Sequence, residues 1–291
     1  MFSRFGLCIL AACWLPLNMN ANAAPTAKTS AKPLSPRQKQ LQAALWREIG
    51  NMRKPTSAQK ARIEKLLRVG APVNAPDKDG ILPLMASVTD ESLVALFLRY
   101  GANPNAADAD GATPLHISAM MGAPGTARRL IRAGARLEAR NKNGETPLML
   151  AASPLANLSN VRDLIAAGAN LEARDKRGIT ALTTAAITEN GAPLARLLLD
   201  AGARTEIPDD DGATPLIAAA LTGHADVLEL LLSHGANANA HDKKGQTALD
   251  AARSADVSIC FCAERGAHPV ALRAKEPHRC QTHRSTPDPR H

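Results

Sequence analysis

The sequence predicts an all-α solenoid of stacked helix-turn-helix units joined by hairpin-like turns. Three observations carry this. Gly-Ala returns at Gly70, Gly101, Gly134, Gly168, Gly202, Gly235 and Gly266. A second glycine follows each of the first six: Gly80, Gly111, Gly144, Gly178, Gly212 and Gly245. Each lies three residues after Asp77, Asp108, Asn141, Asp175, Asp209 or Asp242. Aromatic residues are only 2% of the chain, so the core has to be Leu, Ile, Val and Ala between closely packed helices. A nearly constant period of this kind marks an array in which each unit packs on its neighbours.

Each unit opens on turn chemistry. The Asp or Asn side chain can bond the backbone two residues on, and the glycine accepts the positive φ of such a turn. Thr-Pro-Leu follows at Thr113, Thr146 and Thr214, with Thr-Ala-Leu at Thr180 and Thr247. Thr is a fit N-cap, and Pro at the first helical position gives up only an N–H that has no partner in the helix. A short Ala-rich helix is expected next, as at Ala218-Ala219-Ala220, then a loop. A second helix carries the larger apolar residues, as at Leu194 with Leu197-Leu198-Leu199, and stops at Gly-Ala, where glycine provides the left-handed cap.

The phrase from Asp209 through Gly212 and Thr214-Pro215-Leu216 to Gly223-His224, Leu230-Leu231-Leu232 and Gly235-Ala236 resembles the ankyrin repeat family. The resemblance spans roughly residues 57–270 in this chain. One unit keeps the family's full Thr-Pro-Leu-His, Thr113 to His116. Two units depart. The one opening at Asp77 is shortened and has Leu82 in place of the capping Thr, and the one opening at Asn141 has Pro154 and a longer loop to Val161. The resulting organisation is a signal peptide at 1–23, a disordered linker at 24–34 and N-terminal capping helices at 35–76. Repeats follow at 77–107, 108–140, 141–174, 175–208 and 209–241, then a C-terminal capping repeat at 242–272 and a disordered tail at 273–291.

The capping pair rests on Ser35-Pro36, which opens a helix through Leu41, Leu45, Trp46 and Ile49, and on Ser57, which opens another with Ile63, Leu66 and Leu67 on one face. Trp46 is expected to pack on the first repeat. At the start of the chain, Arg4, the apolar run Phe5 to Leu17 and the small-residue site Ala21-Asn22-Ala23 have the form of a secretory signal peptide and are too short to span a bilayer. The expectation is an exported, periplasmic bacterial protein. Leu10-Ala11-Ala12-Cys13 keeps open a second reading, a lipoprotein anchored through Cys13.

The formal net charge is +8, but it is unevenly placed. Residues 24–69 hold 11 Lys/Arg against 2 Asp/Glu, a net of +9; residues 70–270 hold 18 against 23, a net of −5; residues 271–291 hold 5 against 2, a net of +3. The alkaline balance belongs to the flanks and not to the repeats. Without stacking aromatics or a groove-reading motif, nucleic acid is not an expected partner. The nucleophile-elbow, zinc-protease, phosphate-loop and dinucleotide patterns are all missing, so neither an enzyme nor a cofactor is expected. His116 and His224 sit at positions that the resemblance makes structural. Cys260 and Cys262, read as lying on a helix, together with Cys280 do not match zinc spacing. A disulfide from Cys280 to Cys260 or Cys262 suits an oxidising compartment.

The resemblance implies a protein partner, unidentified, held by a monomer on a concave face of hairpin tips and first helices. Mapped residue by residue, that face takes Lys78, Asp79, Asp110, Lys142, Lys176, Arg177, Asp210, Asp211 and Lys243 at the tips. It adds Arg140, Arg174 and His241 at the preceding edge, and Met120 and Met121 on a first helix, with Ile187-Thr188 and Leu221-Thr222 as further helix positions. Arg140, Lys142, Arg174, Lys176 and Arg177 read as a basic middle stripe beside the acidic tip Asp209 to Asp211. An inhibitor of a secreted toxin or enzyme and a lipid-anchored scaffold are the rival functions.

Overall fold

The computed structural model describes residues 33–50, 55–152 and 157–254, together with 259–260 and 273–274. The N-terminal pair is α1 (Pro36–Gly50) and α2 (Ser57–Arg68). First helices are α3 (Pro83–Ala86), α5 (Pro114–Met121), α7 (Pro147–Leu150), α9 (Ala181–Ile187), α11 (Pro215–Thr222) and α13 (Ala248–Ser254). Second helices are α4 (Glu91–Arg99), α6 (Thr126–Arg132), α8 (Leu158–Ala166), α10 (Ala192–Asp200) and α12 (Ala225–Ser233). First helices stack on first helices and second helices on second, which makes an all-α solenoid of two layers.

The core sits between the layers and repeats with the sequence. Leu84, Leu115, Leu148, Leu182 and Leu216, each two residues after its N-cap, are at most 2% exposed. Phe97, Leu130, Leu164, Leu198 and Leu231 fill the same register of the second helices, all fully buried. Burying one such side chain contributes roughly 2 kcal/mol, so stability grows with the number of stacked units. Ala119, Ala185, Ala186, Ala219 and Ala220 have no exposed surface and let neighbouring backbones approach closely.

Caps follow from the Thr-Pro-Leu phrases. The hydroxyls of Thr180 and Thr214 accept the N–H groups of Thr183 and Ile217 at 3.2 and 3.4 Å. Second helices end on left-handed glycines. Gly134 has φ 87°, and Ala135 N–H returns to the Leu130 carbonyl at 3.0 Å. In the two departing units the first helix is only four residues long. Leu82 offers no side-chain bond to α3. At α7, the side-chain acceptor for the Thr146 N–H is the Met149 sulfur, at 3.4 Å.

The N-terminal pair docks as its sequence suggests. Ser35 and Gln38 cap α1 reciprocally at 3.0 and 3.3 Å. Trp46 Nε1 donates to the Ala75 carbonyl at 3.2 Å and Gln42 Nε2 to that of Pro76 at 2.7 Å, so both tie α1 to the first turn. Helix α2 begins at Ser57, but its cap is Thr56, which forms a box with Gln59.

One element differs in kind from expectation. Ile259–Cys260 (β1) pairs antiparallel with Arg273–Ala274 (β2), with Ile259 opposite Ala274. Cys260 is therefore on a strand and not on a helix. Ile259 and Phe261 around it have strand propensity, which outweighs the short apolar run read as helical. Arg273 and Ala274 belong to this pair although the sequence placed them in the tail. Cys13, Cys262 and Cys280, the signal-peptide reading and the remainder of the tail lie outside the described residues.

Candidate functional site

The six hairpin tips are built from one repeated device. A single oxygen, Oδ1 of Asp77, Asp108, Asn141, Asp175, Asp209 or Asp242, accepts two backbone N–H groups, two and four residues on. At Asp175 these come from Arg177 and Ile179, both at 2.8 Å. The other five tips have the same pair at 2.8 to 3.0 Å. The carboxamide of Asn141 can do this because only one acceptor oxygen is needed. Gly178 closes its turn at φ 77°. Burial pushes the Asp108 carboxyl above its ordinary value.

Successive tips are bonded to each other. Lys142 N–H donates to the Asp110 carbonyl at 2.7 Å, Lys176 to Asn143 at 3.0 Å, Asp210 to Arg177 at 2.9 Å and Lys243 to Asp211 at 3.0 Å. Five tips, from Asp108 to Gly245, thus stand in one row. Among the described residues no such bond joins the Asp77–Gly80 tip to the next.

The charged residues assigned to a partner are largely engaged within this row. Arg140 donates to the carbonyls of Gly144 at 2.7 Å and Arg174 at 2.6 Å, one at the tip that follows it and one at the edge of the next tip. Arg174 repeats the device, donating to the Gly178 carbonyl at 3.1 Å and lying 3.1 Å from the Asp210 carboxylate. Lys142 pairs with Asp110 at 3.2 Å, Arg177 with Asp175 at 3.5 Å, and Lys243 Nζ donates to the Asp210 carbonyl. Arg140, Lys142 and Arg174 of the middle stripe are therefore fasteners between units, while Arg177 pairs with Asp175 in its own. Lys78, Asp79, Lys176, Asp211 and His241 are also exposed along the row. His241 Nδ1 lies 3.3 Å from the Asp242 carbonyl.

On the first helices, Met120 and Met121 are half-buried. Ile187 and Leu221 are 38% and 47% exposed. Met120, Ile187 and Leu221 each lie seven residues after a capping Thr, so α5, α9 and α11 share one apolar register, while the four-residue α7 between α5 and α9 ends before that position. Thr188 is buried, and its hydroxyl donates to the Thr184 carbonyl at 2.7 Å, so it is not part of that surface.

Both histidines bridge units. His116 is fully buried; its Nδ1 accepts the Thr113 N–H at 3.1 Å, which leaves Nε2 to donate to the Glu145 carbonyl of the next unit at 3.1 Å. Burial disfavours its cation and lowers its pKa below 6.5. His224 Nδ1 lies 2.9 Å from the Ala186 carbonyl of the preceding unit.

A second interlock had not been read from the sequence. Asn74 accepts the Asn103 N–H, Asn105 that of Arg136, Glu138 that of Asn170, Glu172 that of Arg204 and Glu206 that of Asn237, all at 2.8–2.9 Å. Each acceptor lies four residues after a Gly-Ala glycine, so the recurrence of Asn or Glu at that position is the sequence signal that marks the set, though not its partners. Buried Asn160 is the other omission. It donates to the carbonyls of Ser118, Gly122 and Ala123 and accepts the Ala127 N–H, binding unit to unit at a single side chain. Among the described residues no cluster of His, Cys, Asp and Glu is arranged to hold a metal, and no helix is long and apolar enough to cross a membrane.

A family model described as ankyrin repeats (3 copies) matches residues 57–141, 124–209, 148–242 and 188–264. No curated protein matches the chain. The paired helix layers, the bonded tips, the buried Thr-Pro-Leu-His and a match running from 57 to 264 agree: the chain belongs to the ankyrin repeat family.

Proposed function

We propose that the protein is a non-catalytic interaction module of the bacterial cell envelope, which holds a partner protein on the face formed by its tips and first helices. The family supports a protein-binding role in general. The observation that carries the choice of face is the apolar register of half-buried Met120 and exposed Ile187 and Leu221 on first helices that follow the row of tips. Ile187 and Leu221 are two of the four large exposed hydrophobic residues among the described residues, and apolar surface rimmed by charge is what a protein partner covers. Arg140 and Arg174 are unsuitable probes because their loss would loosen the units. The test is capture from an envelope fraction by wild type and by an Ile187→Glu, Leu221→Glu, Lys176→Glu variant. The partner should be lost with the variant; capture of the same proteins by both removes this face.

The envelope location rests on the Phe5–Leu17 run and the Ala21–Ala23 site. Leu10 to Cys13 favours a second form, the lipid-anchored one. Mass spectrometry of the mature N-terminus separates them. Ala24 is expected at the start, and a lipid-modified Cys13 replaces the soluble form with the anchored one.

A further inference from the structure

Arginine is distributed differently on the opposite side of the molecule. Arg128, Arg162 and Arg196 recur once per unit, at one position of α6, α8 and α10, and Arg132 follows Arg128 by one helical turn. All four are exposed. Two residues after each of the aligned arginines, on the far side of the helix, come Leu130, Leu164 and Leu198, fully buried, so the arginine row points away from the core.

The bonding of this row contrasts with that of the tips. Arg128 is held by Asp163 at 2.7 Å. Arg132, Arg162 and Arg196 pair with no carboxylate among the described residues. Asp200, one turn beyond Arg196, lies 3.7 Å from His234 instead. Three adjacent units therefore each present an uncommitted guanidinium, whereas Arg140 and Arg174 on the tip side are tied into the array.

We infer that the outer face of α6, α8 and α10 is a second binding surface, which takes an extended acidic segment of a partner protein. Helices packed in one layer lie about 8–10 Å apart, which sets the distance between rungs. An extended chain in the polyproline II conformation has three residues per turn and advances about 3.1 Å per residue, so every third side chain returns to the same face about 9 Å on and meets the next rung. The guanidinium fork matches a carboxylate geometrically as well as in charge. The three helices contain no aromatic residue, which removes the stacking platform that single-stranded nucleic acid uses.

Two synthetic peptides of one composition test this on the full chain by fluorescence anisotropy at low salt. One carries glutamate at every third position; the other carries the same glutamates in a block. The spaced peptide should bind about tenfold tighter than the blocked one, and binding should weaken about tenfold or more in an Arg132→Glu, Arg162→Glu, Arg196→Glu variant. Reversing Lys78 and Lys176 on the tip side should leave it unchanged. Circular dichroism checks that the variants are folded, which their exposure leads one to expect. Equal affinity for the two peptides, indifference to the triple reversal, or tighter binding of a single-stranded oligonucleotide of matched length overturns the inference. None of these outcomes bears on the tip-side surface, whose variant is different.

Discussion

The first repeat and the later ones are fastened by different forces. From Asp108 to Gly245, tips are joined by backbone hydrogen bonds, and first helices α5, α9 and α11 run seven or eight residues with capped starts. The first repeat has a four-residue α3 with no side-chain cap, and no backbone bond from its tip to the next among the described residues. Side chains and one backbone bond, from the Ala123 N–H to the Val88 carbonyl at 2.9 Å, do its work. Lys60 and Asp90 pair at 2.8 Å, Arg99 and Glu64 at 2.7 Å, and Asn74 spans to Gly101 and Asn103. Burial works against the Asp90 carboxylate, but bonds from Lys60, Ser92 and the Leu93 N–H outweigh it and keep its pKa low. Exposed ion pairs contribute about 0–1 kcal/mol each, less than one buried leucine. Stability in this array should therefore be graded, with the N-terminal end opening first.

The largest test of that gradient is in the core. Leu216→Ala should cost about 3 kcal/mol and lower the main unfolding transition in urea. Leu84→Ala should act mainly on residues 33–107, seen as faster hydrogen exchange there with the exchange of 175–254 unchanged. Equal loss of protection along the whole chain would mean one cooperative block and no gradient.

The glycines provide a finer pair. A Cβ at Gly178 would come 2.8 Å from the Asp210 backbone nitrogen, inside the tip ladder, while one at Gly80 meets nothing within 4 Å. Both have positive φ, 77° and 82°, which costs a non-glycine residue about 1 kcal/mol. Gly80→Ala should lose about that much and Gly178→Ala about twice it. Identical midpoints for the two variants would say that the ladder is compliant at this tip.

His116 gives a dependence on pH. It is folded as the neutral form, with its pKa below 6.5, so the unfolded chain takes up a proton first as pH falls. Stability should therefore fall as pH drops below about 6.5, and His116→Gln should flatten that part of the profile. Met149, at the equivalent position one unit on, has only a sulfur acceptor, so Met149→His should raise stability by about 0.5–1 kcal/mol at pH 8. The smallest effect belongs to the N-terminal ion pairs. Lys60→Met should cost under about 1 kcal/mol, and about 1 M salt should erase the difference from wild type.

The helix positions were legible in the sequence because their signals are local. Asp-x-x-Gly, Thr-Pro and the closing glycine each act within a few residues, and the two units that depart from the pattern, at Leu82 and at Asn141, are the two with four-residue first helices. What lay hidden were the bonds made from unit to unit. Arg140 looks like a surface cation until its two carbonyl acceptors, one at the tip that follows it and one at the edge of the next tip, are in place. Asn160 looks like an ordinary polar helix residue until three carbonyls of the preceding unit converge on it. The β1–β2 pair was missed for the same reason: Ile259 and Ala274 are partners only once the chain has turned between them.

The tip ladder also bears on how such a chain changes length over evolutionary time. Every link reaches one unit and stops. If residues 175–208 were excised, the Asp210 N–H would meet the Asn143 carbonyl in place of that of Arg177, and Arg140 would keep the Arg174 carbonyl, which would then precede Asp209 directly. The new junction would have the same donors and acceptors as the old ones. Gain or loss of a whole unit is then close to neutral for the fold, while a change of a few residues within a unit is not, and variants that differ by one full period are the expected form of natural variation in this architecture.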